Sequence, residues 1–211
     1  MKLLVIGGTG GTGREIIDQA MAQGHSVTAL VRSVATAQHL LPGATLLEGD
    51  ARDGTVVARG LVDCGAVISA LGTGMSPFRE VTLLSDATKI LVAVMKKADV
   101  RRLVCITGVG AGDSRGHGGF FYDRVFQPLL LRKVYQDKDR QEAVVMASGL
   151  DWIIVRPTLL TDTPATGKIA ATADLRGVHG GKIARADVAH FVIEQTSEDR
   201  WLRSTPLITS A

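Results

Sequence analysis

Cysteine is nearly absent from this chain: Cys64 and Cys105 are the only two in 211 residues, and neither belongs to a C-x-x-C or a metal-ligand spacing. Both lie in or beside apolar runs and are expected to be small buried hydrophobes. The five histidines are scattered, so no metal centre is expected. Aromatic residues make up 4% of the chain and do not interleave with basic ones, no long basic run occurs, and the net charge is only +3. A nucleic-acid partner is therefore not expected. No apolar stretch reaches the length of a membrane span, so no membrane partner is expected either. The chain enters an apolar run almost at once, which argues against a signal peptide and makes the cytoplasm the expected compartment. No serine sits in a nucleophile elbow. What remains is a composition of 45% hydrophobic and 21% charged residues, that of an ordinary globular protein of one domain.

The first thirteen residues carry the strongest signal. Leu3 to Ile6 form a short apolar run that stops at a loop, Gly7-Gly-Thr9-Gly10-Gly11-Thr12-Gly13, and an amphipathic segment begins at Arg14. Strand, glycine loop and helix in this order allow a dinucleotide diphosphate to sit on a helix N-terminus. Only residues without side chains let the backbone turn tightly and approach phosphate oxygens. Free N–H groups and the helix dipole then favour the anion. Gly7-x-x-Gly10-x-x-Gly13 is the preferred frame, because Gly7 directly follows the strand.

A second apolar run, Ser26 to Val31, comes where a βαβ unit needs its next strand. An NAD site usually places a carboxylate after it, to accept from the ribose 2′-hydroxyl. This chain has Arg32-Ser33 instead. A guanidinium can grip a 2′-phosphate in bidentate fashion and Ser33 adds a donor, so NADP(H) is expected over NAD(H).

Further strand-like runs at Thr45–Leu47, Ala66–Ser69, Leu103–Ile106 and Trp152–Val155 alternate with helical patterns at Arg14–Gln23, about Ala35–Leu40, Thr55–Arg59, Arg79–Lys97 and Tyr135–Ala147. Such alternation predicts an α/β fold, a doubly wound parallel sheet of order 3-2-1-4-5-6. Ligands then bind beyond the carboxyl ends of the strands. Asp50 and Ala51 follow the third strand, near the expected adenine. Leu71, Gly72 and Thr73 follow the fourth, Thr107 ends the fifth, and Arg156, Pro157, Thr158 and Leu159 end the sixth, near the expected nicotinamide. Gly108 to Gly119 is polar and glycine-rich and reads as a mobile flap. After Pro157 the chain holds a Thr- and Gly-rich excursion that suggests a hairpin, a helix from about Arg185, and a final strand at Pro206–Thr209. Residues 1–211 thus form a single NAD(P)-binding domain whose small substrate-side lobe comes mainly from 158–211.

Three residues are candidates for chemistry beside the nicotinamide. Thr107 and Lys138 can orient the ribose and carboxamide, and Tyr122 can line the pocket. The Tyr-x-x-x-Lys pair that short-chain dehydrogenases use for proton exchange is missing. Tyr135 and Lys138 are three apart, and Tyr122 has Phe126 four residues on. Tyrosine-driven alcohol or sugar-nucleotide chemistry is disfavoured on that ground.

Taken together, Gly7 to Gly13, Leu30-Val-Arg32, Gly49-Asp50, Leu71-Gly-Thr73, Ser148 to Trp152, Arg156-Pro157 and Ile183 to Phe191 resemble, in the same order, the atypical short-chain dehydrogenases of the NmrA and biliverdin reductase B type. The resemblance spans essentially the whole chain. It implies a monomer or weak homodimer that passes hydride from NADPH to a small aromatic acceptor: a flavin, a quinone or a biliverdin-like tetrapyrrole. Flavin would be a substrate and not a prosthetic group. Gly108 stands where the related reductase has a serine, and flavin reduction asks least of the protein, because positioning does most of the work. A non-enzymatic NADP(H) sensor fits the missing Tyr-Lys pair equally well.

Overall fold

The computed structural model describes residues 1–74, 80–120 and 122–211, the side chains at 122 and 126–128 excepted. The first half alternates β1 (Lys2–Ile6), α1 (Gly11–Ala22), β2 (Ser26–Val31), α2 (Val34–Ala37), β3 (Thr45–Glu48), α3 (Gly54–Gly60), β4 (Ala66–Ser69), α4 (Leu83–Lys97) and β5 (Arg102–Ile106). A wide helix at Tyr122–Leu131 runs into α5 (Arg132–Met146), followed by β6 (Asp151–Pro157), β7 (Leu159–Thr161), β8 (Ile169–Thr172), β9 (Lys182–Ala184), α6 (Arg185–Glu194) and β10 (Leu207–Ser210).

Eight strands form one sheet of order β3-β2-β1-β4-β5-β6-β10-β8, and β7 pairs with β9 in a separate ribbon. Every neighbour in the main sheet is parallel except the edge pair β10 and β8. The fold is therefore the doubly wound α/β sheet, in the expected order over its first six strands. The central strands read as continuous apolar runs because both their faces are covered. One face packs against α1 and α6 through Ile16, Ile17, Val188 and Val192. The other packs against α3, α4 and α5 through Val57, Leu91, Met95 and Val145. Ile16 and Ile17 are fully buried, and each such side chain contributes about 1.5–3 kcal/mol.

Three local readings change in the folded chain. Helix α1 starts at Gly11, not Arg14, because tertiary placement overrides the poor helix propensity of glycine. The stretch suspected of forming a hairpin instead sends β8 to pair antiparallel with β10. Helix α4 begins at Leu83, four residues after the expected start, and Arg79 itself lies outside the described residues. The α4 N-terminus receives its cap from another helix. The buried Asp137 of α5 accepts from Leu84 N at 2.8 Å and Ser85 N at 3.3 Å, which locks α5 in place beside the strand ends. Cys105 is buried in β5, and burial pushes its thiol up to about 12.

Candidate functional site

A cleft of about 940 Å³ opens along the carboxyl ends of β1 to β5. Its centre is the loop between β1 and α1. Gly7 has φ +86°, and a Cβ there would lie 2.4 Å from Ala70 O. A Cβ on Gly13 would lie 2.2 Å from Gly7 O. Any side chain at either position collides with backbone, so the tight turn exists only with glycine. Gly10 N donates to Gly7 O at 3.2 Å, and Gly10 caps α1 without a side-chain bond. The first N–H groups of α1 are left for a ligand. A hollow of bare backbone with uncapped helix donors fits a diphosphate.

Arg32 and Asp50 line one end. Arg32 is exposed. The Asp50 carboxylate is held by its neighbour: Arg52 N donates to Oδ1 at 2.8 Å, Arg52 Nε at 3.0 Å, and Arg52 Nη2 donates to Oδ2 at 2.6 Å. The Arg52 hydrogen bonds, side chain first, hold Asp50 down to about 2. Arg52 thus joins Arg32 as a second guanidinium on this end of the cleft, a residue the sequence reading overlooked although it stands two positions after Asp50. Ser33 lies outside the lining. Its Oγ accepts from Thr36 N at 3.4 Å and caps α2.

Thr9, Gly11, Thr12, Ala51, Leu71, Gly72, Thr73, Thr107 and Lys138 also line the cleft, whereas Pro157, Thr158 and Leu159 do not. Strand β6 extends to Pro157 and absorbs these residues into backbone pairing. Pro157 O accepts from Val109 N at 3.0 Å, and Thr158 N donates to Ile208 O at 3.0 Å. The Thr158 hydroxyl donates to Thr209 Oγ1 at 3.1 Å. Leu159 is exposed. Tyr122 opens the wide helix, and its side chain lies outside the described residues.

The far end of the cleft is built on buried charge. Thr107 donates through Oγ1 to Glu142 Oε1 at 2.7 Å. Arg156, with 0% exposure, donates from Nε to the same oxygen at 3.0 Å and from Nη2 to Glu142 Oε2 at 2.6 Å, and its Nη1 pairs with Asp113. Burial opposes the Arg156 charge, but Glu142 and Asp113 outweigh it and raise its affinity for the proton. Lys138 Nζ donates to Thr107 O at 2.6 Å and lies 4.7 Å from the centre of the Tyr135 ring. Burial lowers Lys138 to about 8, against the opposing pull of Glu142.

Spacing alone argued against a Tyr135–Lys138 pair. The two residues do share one helical turn and one cleft wall, but the Tyr135 hydroxyl donates to Val109 O at 2.9 Å. Tyr135 was set aside on spacing and Arg156 was noted only as the end of the sixth strand; Glu142 was missed, because its partners Thr107 and Arg156 lie 35 and 14 positions away in sequence. Gly108 sits against this group with φ +145°, and a Cβ would lie 3.2 Å from Lys138 Nζ. A serine here would be strained and would crowd the lysine.

The expected flap is packed over much of its length. Val109, Ala111 and Ser114 are buried. Gly110 N donates to Ser114 Oγ at 2.9 Å, and Gly112 N donates to Asp139 Oδ1 at 2.8 Å. Asp113, through Arg156, fastens the segment to the sheet.

With the geometry known, relatives give it a context. A family model described as NAD(P)H-binding matches residues 7–199. The chain belongs to this NAD(P)H-binding family. It is 30% identical to a Bacillus subtilis (strain 168) protein named "Uncharacterized sugar epimerase YhfK", over 94% of this chain and 89% of that protein. Among solved structures it is similar to ChuY, described as an anaerobillin reductase from Escherichia coli O157:H7. That match has 26% identity and a TM-score of 0.83, and covers 100% of this chain and 97% of the other. A Veillonella parvula DSM 2008 short-chain dehydrogenase/reductase in complex with NADP shares the fold, at 14% identity and a TM-score of 0.80, over 99% and 94% of the two chains. Among the described residues no helix is long and apolar enough to cross a membrane.

Proposed function

We propose that this protein is an NADPH-dependent reductase that passes hydride to a flat conjugated acceptor: a flavin, a quinone or a tetrapyrrole. The observation that carries this reading is the polarity of the cleft. Guanidiniums of Arg32 and Arg52 stand at one end, a bare glycine cradle lies in the middle, and Thr107 with Lys138 stands at the other end beside apolar Leu131, Val134 and Leu160. Arg32 and Arg52 would bind the 2′-phosphate, and Gly10 to Gly13 the diphosphate. Bound NADPH supplies the hydride.

The chain's own residues position and polarise. Lys138, at about 8, is mainly protonated at neutral pH and donates toward a ribose hydroxyl or carboxamide. The Thr107 hydroxyl spends its proton on Glu142, so toward a ligand it only accepts. The Tyr135 hydroxyl donates to backbone, which disfavours the acid–base cycle of an epimerase. A conjugated acceptor spreads the charge it gains and needs no such group. ChuY, the reductase-named structural neighbour, supports a reductase over an epimerase.

The deciding experiment is NADPH oxidation by the purified protein against FMN, biliverdin and a quinone, with NADH in parallel. Turnover with one of these, faster from NADPH, is the expected result. Tight NADPH binding without turnover on any acceptor would replace the reductase with the NADP(H) sensor.

A further inference from the structure

The first turn of α1 concentrates positive potential, because its N–H groups have no intrahelical partners and its cap, Gly10, offers no side chain. The fold brings a full positive charge to the same place. Arg185 Nη1 donates to Thr12 Oγ1 at 3.3 Å, and a Cβ on Gly11 would lie 2.9 Å from both Cδ and Nε of Arg185. The guanidinium therefore lies along the first turn of α1 and lines the cleft.

Electrostatics alone does not favour this placement. Arg185 is the first residue of α6, where a cation also opposes the dipole of its own helix. Its carboxylate partner Asp162, 2.8 Å from Nε, is 85% exposed, so water screens most of the attraction. Packing nevertheless holds the position firmly. Gln19 of α1 donates to Ala186 O at 3.0 Å, and Ile183 and Ala184 are buried. Asp187 secures the neighbouring loop. Burial works against its charge, but N–H bonds from Thr166 and Gly167 and the Thr166 hydroxyl keep it below the usual carboxylate range. Asp187 answers the N-terminus of α6, but the positive end of α1 and the Arg185 guanidinium meet with only the solvated Asp162 carboxylate as a partner. That arrangement is relieved when an anion enters.

We infer that Arg185 is a side-chain ligand of the cofactor diphosphate, delivered from the C-terminal segment to complement the backbone donors of α1. With Nε on Asp162 and one Nη1 proton on Thr12, Nη2 and the second Nη1 proton remain to fork onto phosphate oxygens. The inference rests on reading the glycine loop as the diphosphate cradle, and it adds a residue that the glycine motif does not contain.

The test is titration of wild type, Arg185→Ala and Arg185→Lys with NADPH and, separately, with 2′-AMP, which carries the adenine and the 2′-phosphate but no diphosphate. Arg185→Ala is expected to weaken NADPH roughly 10- to 100-fold, the range of a charge-assisted bond, and to leave 2′-AMP unchanged. Arg185→Lys should recover part of the loss, because it keeps the charge without the fork. Should Arg185→Ala not fold, Arg185→Gln carries the same expectation. Wild-type affinity for NADPH in the neutral variant, or an equal loss of 2′-AMP, overturns the role of Arg185. If wild type binds 2′-AMP and NADPH equally weakly, the cradle reading itself falls.

Discussion

The two ends of the cleft use the same residue type in opposite ways. At the β1–β3 end, Arg32 is exposed and Arg185 leans on a helix N-terminus with one solvated partner. At the β5 end, Arg156 is fully buried and meets two carboxylates, Glu142 and Asp113. An arginine whose charge is answered by a buried carboxylate holds structure together; one whose charge is open or met only by a solvated carboxylate is available to a ligand. What an arginine faces, together with its burial, separates the two roles.

Removing the buried cation should cost most. Arg156→Leu strands Glu142 and is expected to destabilise the fold by about 3–5 kcal/mol in urea titration. Replacing both partners with apolar residues should recover much of that loss, and an equally unstable double variant would contradict the pairing. Gly13→Ala attacks the glycine cradle. The clash with Gly7 O is expected to cost about 1–3 kcal/mol and to abolish NADPH binding, whereas unimpaired binding would refute the cradle.

Arg32→Ala should weaken NADPH roughly 10- to 100-fold and spare NADH. Equal loss of both cofactors in direct titration would sink the 2′-phosphate assignment.

Lys138 provides a pH test at the buried end. Its folded pKa, about 8, lies below the ordinary 10.5, so the unfolded chain binds more protons between those values and stability rises with pH there. Below pH 8 both states are protonated and the burial penalty is present in full. Lys138→Met should therefore be the more stable protein at pH 7, with its advantage shrinking as pH climbs from 8 toward 10.5. A constant difference across that window would show that the lysine is not depressed. Smallest of all is Arg52→Ala. Its pair with Asp50 is solvated on both sides, so the melting temperature should not move, and the loss of NADPH affinity should be smaller than for Arg32→Ala.

Much of the fold was legible because its determinants are local. The glycine loop, the apolar runs and their alternation with helices all lie within short stretches, and right-handed crossovers leave few ways to order the strands. The site was legible in part. Thr107 and Lys138 were visible as polar residues at a strand end and on the following helix. Ser33 was read as a phosphate donor; it lies outside the cleft lining, and its Oγ caps the start of α2 while its hydroxyl proton takes no part in that cap. The stretch around Gly110 looked loose from its composition, and only its bonds to Asp139 and Arg156 show why it is packed.

The sequence by itself determined the strand–glycine–helix unit, the parallel sheet and the arginine after β2, since sterics and periodicity act over a few residues. Tertiary structure alone decided that Asp137 caps α4, that Glu142 binds both Thr107 and Arg156, and that Arg185 reaches Thr12 across 173 positions of chain. Those contacts depend on which strand ends the folded sheet places side by side, and no local pattern encodes that neighbourhood.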